Sequence, residues 1–595
     1  MRVPKRIAAS LAIASFLTPI AAPYAAVAAP ATPIQHVIII VGENHTFDNL
    51  FGTYQPKGQQ SIDNLLSKHI VNTDGSPGFK FSLGAQNIAN VQGKYKAKTN
   101  VVATYPALPQ PYTTYGLGLP QGVPDTRFPA NMPNGPFQIS WYVPYAAYTG
   151  DPVHRFFQMW QDVDGGKMDK FAFVEQTIGT GSNGAPPPAG GFNPMEGAIS
   201  MGFYNMNPFV DAHGAAQPGD AAIFKSLADN YAISDNYHQA IMGGTGANFQ
   251  ALVSGDAAFF TNPDGTPGVP FGNQIENPDP VKRTNNYYTQ DGYSGGSYVN
   301  CNDVRNPGVQ AVNQELGRAK VSKSNCAPNT YYLVNNYNMY WNQDGSTNQL
   351  GSDKFVLPPQ SNPTIANVMT ANGVSWKYYS GDRGDDVTNF ANAVDGIPLL
   401  FHSYCGICDP LTGYASIETT SEASKLQNYG AFLNDVAAGT LPAVSFVRPF
   451  ESLAGHPADS TTDLYEMFIQ DLIAKVKANP SLWGSTAIFI TTDEGGGYYD
   501  SGYVQYLDFF GDGTRIPLIL VSPWSKQGYV DHTYYDHVSL LKFIERNWGL
   551  PTISGRSRDN LPNPIANKNN PYKPVNGPSI GDLMNLFDFT KPPHG

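Results

Sequence analysis

At 595 residues the chain is long enough for one large domain with insertions, or for two domains. Its 59 glycines and 49 prolines demand many turns and long loops, which excludes a helical bundle. The net charge is −12 and no lysine or arginine run follows the N-terminus, so nucleic acid is not expected as a partner: phosphate backbones need clustered cations.

The chain opens with the basic "MRVPKR", followed by small and apolar residues as far as "AVAAP". This is the layout of a secretory signal peptide over residues 1–28, cleaved before Ala29. Pro19 and Pro23 interrupt the apolar stretch, and no other span approaches the ~20 residues of a bilayer crossing. An exported protein, periplasmic or secreted, is expected, and disulfides are permitted there. The four cysteines can pair in three ways, of which Cys301–Cys326 with Cys405–Cys408 is the local solution. "CGIC" lacks a second CxxC, so it reads as a loop-tying disulfide rather than a zinc or redox motif.

Strand-like apolar runs recur at wide spacing: "HVIIIV", "DKFAFV", "YAISDNY", "VSWKYYSG", "PAVSFVRPF", "TAIFITTDE" and "RIPLILVSPW". Helical patterns fall between several of them, as in "AAIFKSLADN", "SEASKLQNYGAFLNDVAAG" and "LYEMFIQDLIAKVKANP". This alternation predicts an α/β fold, a mostly parallel central sheet sandwiched by helices. Two loop-rich tracts interrupt it, near residues 55–135 and 257–360, both rich in tyrosine and asparagine. They are expected to pack over the core, as a substrate lid, a glycan-binding surface or ordinary surface cover. A single catalytic domain over residues 29–595 carrying these insertions is the expected organisation.

The chemistry is expected at strand ends. "HVIIIV" runs into Glu43 and Asn44, and "AIFITT" runs into Asp493, Glu494 and three glycines. Adjacent acids at a tight turn crowd like charges unless a cation sits between them, and oxygen donors alone suit Ca²⁺, Mg²⁺ or Mn²⁺. "MGGTGANFQALVSG" presents Thr245 where a helix can start, which fits either an N-cap or a nucleophile. Of the 11 histidines, His154, His402 and His456 stand in segments where an imidazolium could bind phosphate or protonate a leaving group. "NHT" at Asn44 is also a glycosylation sequon, and a glycan there would exclude a metal.

Six blocks, "GENHTFDNLFGTY", "DPVHRFFQMWQDVDGGKMDKF", "MGGTGANF", "LPAVSFVRPFESLAGHP", "TTDEGGGYYD" and the segment from "RIPLILVSPW" to "NWGL", resemble in content and order the bacterial phosphoesterase family. That family holds phospholipases C and acid phosphatases and belongs to the alkaline phosphatase superfamily. The resemblance implies an alkaline-phosphatase-like fold and a divalent metal held by Glu43, Asn44, Asp493 and Glu494. It implies Thr245 as nucleophile, through a phosphothreonine intermediate, and His154, His402 and His456 near the phosphate. The expected function is an exported, metal-dependent hydrolase of phosphate esters, of acid-phosphatase type. The alternatives are a phospholipase C acting on lipid head groups at a phospholipid surface, and an inactive, glycan-binding scaffold. His45 and Phe249 stand where many members carry arginine, so a phosphate-binding cation is either missing or supplied from elsewhere.

Overall fold

The computed structural model describes residues 29–89, 94–113, 123–177, 197–279, 296–384, 403–457 and 459–594. The expected signal peptide, residues 1–28, and His402 lie outside these.

Eight strands form the central sheet: β1 (His36–Gly42), β2 (Ala232–Ser234), β3 (Trp376–Ser380), β4 (Leu426–Asn428), β5 (Val444–Arg448), β6 (Thr486–Thr492), β7 (Leu518–Val521) and β8 (Tyr529–Asp531). Their spatial order is β4-β3-β5-β1-β6-β7-β2-β8. All neighbours pair in parallel except β7, which runs against both β6 and β2. The carboxyl ends of the other seven strands therefore share one edge. From Val37 to Gly42, β1 is buried at every position, as are all of β5, β6 and β7. A strand buried on both faces needs mostly apolar side chains on both, which is why these segments are rich in Val, Ile, Leu and Phe rather than strictly alternating. Each such side chain contributes about 1.5–3 kcal/mol by leaving water.

Helices cover the sheet in two groups. Tyr429–Ala438 packs on Thr462–Lys477, and Thr245–Ser254 packs on Val538–Trp548; these four are α2 (Thr245–Ser254), α3 (Tyr429–Ala438), α4 (Thr462–Lys477) and α5 (Val538–Trp548), with α1 at Phe156–Val163. Two expectations change. "DKFAFV" is not a strand: Phe171–Thr177 is helical, with Val174 N–H bonded to Lys170 O. A short apolar run buried all round has no period with which to tell strand from helix. The stretch expected as helix from Ser421 instead begins with a 3-10 turn and the edge strand β4 before α3 starts.

The tract at 257–360 folds inward. Tyr298, Tyr332 and Tyr337 are fully buried, the pair Tyr298–Val299 and Tyr332–Leu333 forms a small ribbon, and Cys301–Cys326 ties it. The second disulfide is Cys405–Cys408, and no described cysteine is free. Among the described residues no helix is long and apolar enough to cross a membrane.

Candidate active site

Strand register builds the centre of the site. Gly42 of β1 lies opposite Thr492 of β6, so the next residues, Glu43 and Asp493, leave the sheet side by side. The pairing continues past the strands, with Asp493 N–H donating to Gly42 O at 2.9 Å and His45 N–H to Glu494 O at 3.1 Å. The glycine turn after Glu494 lets Asn44 in. Gly496 has φ +56°, and a Cβ there would sit 2.4 Å from the Asn44 Cβ, so only glycine permits both the turn and the approach.

Thr245 is the first residue of α2, and Gly244 holds the cap position. The Thr245 hydroxyl does not cap the helix. It donates to Glu494 Oε1 at 3.1 Å, although its segment and that of Glu494 are far apart in sequence. Asn336 holds the turn from the other side by accepting from Gly246 N–H at 2.7 Å. His154 Nε2 lies 3.6 Å from the same Glu494 oxygen, while its Nδ1 faces the Pro152 carbonyl at 2.7 Å. That carbonyl can only accept, so Nδ1 carries a hydrogen and Nε2 is the atom turned to the site.

The charge balance includes residues that the sequence reading missed. Arg448, fully buried at the end of β5, donates to Glu43 Oε1 at 2.6 Å and to Glu451 at 2.5 Å. His456 Nε2 lies 3.9 Å from both Glu43 Oε2 and Asp151 Oδ2. Burial opposes charge on His456, but Asp151, Glu43, Asp459 and Glu451 together outweigh it and push its pKa up to about 10. Burial, and then the Glu43 carboxylate, raise Asp493 well above the usual carboxylate range. The arginine absent at positions 45 and 249 has a physical counterpart here. Phe249 is buried in α2, and burial drives His45 down to about 4, whereas Arg448 is a fixed cation beside Glu43. The sequence signal was a lone arginine closing the apolar run "VSFVR"; for Asp151 it was an acid three residues before His154.

The donor set fits a hard divalent cation. Asn44 is 0% exposed, yet among the described residues neither atom of its amide has a hydrogen-bond partner, and Asp493 Oδ2 has none either. Buried polar atoms left unpaired cost roughly 1–3 kcal/mol each, which a cation bound to oxygen donors would offset. The same burial leaves no room for a glycan on Asn44. Cys405 and Cys408 also approach Glu43 and Glu451 within ligand range, but their sulfurs are joined in a disulfide and offer no thiolate. Thus Glu43, Asn44, Asp493, Glu494, Thr245, His154 and His456 converge on one edge of the sheet.

A family profile described as Phosphoesterase family matches residues 34–551, and the chain belongs to that family. Among curated proteins it is similar to a non-hemolytic phospholipase C of Burkholderia pseudomallei, 27% identical over 309 residues, covering 45% of this chain and 41% of that protein. It is similar to phospholipase C B of Mycobacterium tuberculosis, 22% identical over 95% of this chain and 79% of that protein. A probable acid phosphatase of Kluyveromyces lactis is 26% identical over 37% of this chain and 50% of that protein. The chain thus spans less than half the length of the first of these relatives. Among solved structures, a protein in the alkaline phosphatase superfamily from Vibrio parahaemolyticus matches 57% of this chain and 63% of its own, at 11% identity and a TM-score of 0.25.

Proposed function

We propose that the protein is an exported, metal-dependent phosphoric-ester hydrolase with Thr245 as nucleophile. The observation that carries this reading is the Thr245 hydroxyl, 3.1 Å from Glu494 Oε1, at the point where the two acid-bearing strand ends meet. Glu43, Asn44, Asp493 and Glu494 would hold the cation, which when bound supplies positive charge to the phosphoryl oxygens. Thr245 Oγ forms the bond to phosphorus and its proton passes toward the Glu494 carboxylate. The P–O bond to the leaving group breaks, and the departing oxygen takes a proton from an imidazolium, for which His456 is the described candidate. Water then cleaves the phosphothreonine. His154, whose Nε2 faces the site, and His402 are proposed to join the phosphate contacts. Fixed charges aimed at the phosphoryl group are the main source of acceleration for such a transfer.

One catalytic domain over residues 29–595 is part of this reading. Two disulfides support passage into an oxidising compartment. A second substrate class, phosphodiesters of lipid head groups, is favoured by the match to a phospholipase C along 95% of the chain. The glycan-binding alternative loses support, because the tyrosines described above are core residues. Paired assays with p-nitrophenyl phosphate and phosphatidylcholine vesicles separate the substrate classes. Thr245→Ala is expected to abolish turnover of either, and an unchanged rate would remove the nucleophile assignment.

A further inference from the structure

A second set of reactive side chains stands at the far end of the same sheet edge. Ser234 of β2 lies opposite Asp531 of β8, so the next residues, Asp235 and His532, leave the sheet together. His532 Nδ1 lies 2.8 Å from Asp235 Oδ1, and His532 Nε2 lies 2.9 Å from Ser61 Oγ, which arrives from the loop after Tyr54. A carboxylate only accepts, so Nδ1 carries the hydrogen, and Nε2 is left as the acceptor for the Ser61 hydroxyl. We propose that Ser61, His532 and Asp235 form a second catalytic site, of serine-hydrolase type, acting on carboxylic esters.

The supporting groups are fixed as such a site requires. Asp235 is fully buried; its other oxygen accepts from Asp63 N–H at 2.8 Å and from the Tyr572 hydroxyl at 3.0 Å. Arg515, itself buried and paired with Asp500, donates to the Asp235 and Asp63 carbonyls and so ties the acid to the Ser61 loop. Burial thus decreases outward, from the carboxylate through His532, whose side chain is 21% exposed, to the exposed Ser61. The N–H groups of Ser61 and Ile62 bond to no other described residue, leaving backbone donors free beside the nucleophile. An orienting acid, a base in one tautomer and a solvent-facing hydroxyl are the roles by which a triad is recognised on any fold.

The reaction balances within these groups and water. Ser61 Oγ bonds to the ester carbonyl carbon as its proton moves to His532 Nε2. The bond to the alcohol oxygen breaks, and the alcohol leaves with that proton. Water then gives a proton to Nε2, attacks the acyl carbon, and returns Ser61 as a hydroxyl, so that ester and water become acid and alcohol. An exposed nucleophile suits soluble esters with short acyl groups. His532 must be neutral to act. Burial lowers its pKa, but the hydrogen bond and charge of Asp235, with Asp531 and Asp63, raise it overall. Tyr572, Lys68 on Asp63 and the Arg515 guanidinium complete its surroundings. Ester hydrolysis is therefore expected to rise with pH and to level off above the ordinary imidazole range.

The test uses the full-length protein with a fluorophosphonate probe and p-nitrophenyl acetate. Peptide mapping is expected to find the adduct on Ser61, and Ser61→Ala to lower ester turnover by roughly 10³-fold or more. His532→Gln keeps a donor for Asp235 and an acceptor for Ser61 but cannot take the proton, so it should lose turnover while the fold is retained. Absence of an adduct at Ser61, or turnover unchanged in Ser61→Ala or His532→Gln, would overturn the proposal.

Discussion

At the middle of the sheet edge, β1 and β6 deliver Glu43 and Asp493 into an enclosed space; at its end, β2 and β8 deliver the buried Asp235 and, nearer the surface, His532. Parallel register is the shared device, since residues following paired strand ends must leave together. Their partners separate them. In the middle, carboxylates face one another with Arg448 and His456 in opposition, and among the described residues the Asn44 amide has no hydrogen-bond partner. At the end, one carboxylate is matched to one imidazole and the chain terminates on a hydroxyl. The first arrangement accumulates negative charge that a bound cation would offset. The second pairs its charges without one and, as proposed above, would pass a proton.

Five perturbations sharpen this contrast. The largest is Thr245→Ala, which should lower phosphate-ester turnover by roughly 10⁴-fold, about 5.5 kcal/mol of barrier, while leaving the circular dichroism spectrum as it is. Arg448→Ala should follow, destabilising the fold by about 3–5 kcal/mol in denaturant titrations, because it strands Glu43 and Glu451 in a buried site. A cation present at a hundred times its dissociation constant should stabilise the chelated protein by about 2.7 kcal/mol. Asp493→Asn should remove that gain and, without cation, should be no less stable than the parent, since it deletes a like charge beside Glu43. A thermal midpoint indifferent to divalent ions would erase the distinction between the two regions. The smallest effect belongs to Ser61→Ala, whose exposed side chain should change stability by less than about 0.5 kcal/mol.

How much of this was legible follows from how local each signal is. The apolar-rich runs of β1, β5 and β6 announced themselves because burial on both faces favours apolar side chains along most of the strand. The acids and amide that end two of them, and Thr245 after its glycines, stood out for the same reason, as polar residues breaking an apolar pattern. "DKFAFV" misled because a short run buried all round fits either periodicity. The edge strands β4 and β8 carry three residues each, too few for alternation to show.

The chain order alone determined the long inner strands, the turn glycines and which residues could serve as oxygen ligands or nucleophiles, because each depends on neighbours within a few positions. Only the tertiary structure decided which of these face one another. Arg448 meets Glu43, Thr245 meets Glu494, and Ser61 meets His532 across hundreds of residues, through strand register and helix packing. Charge pairing acts over a few ångströms in space and is indifferent to separation along the chain, so no local pattern could carry it.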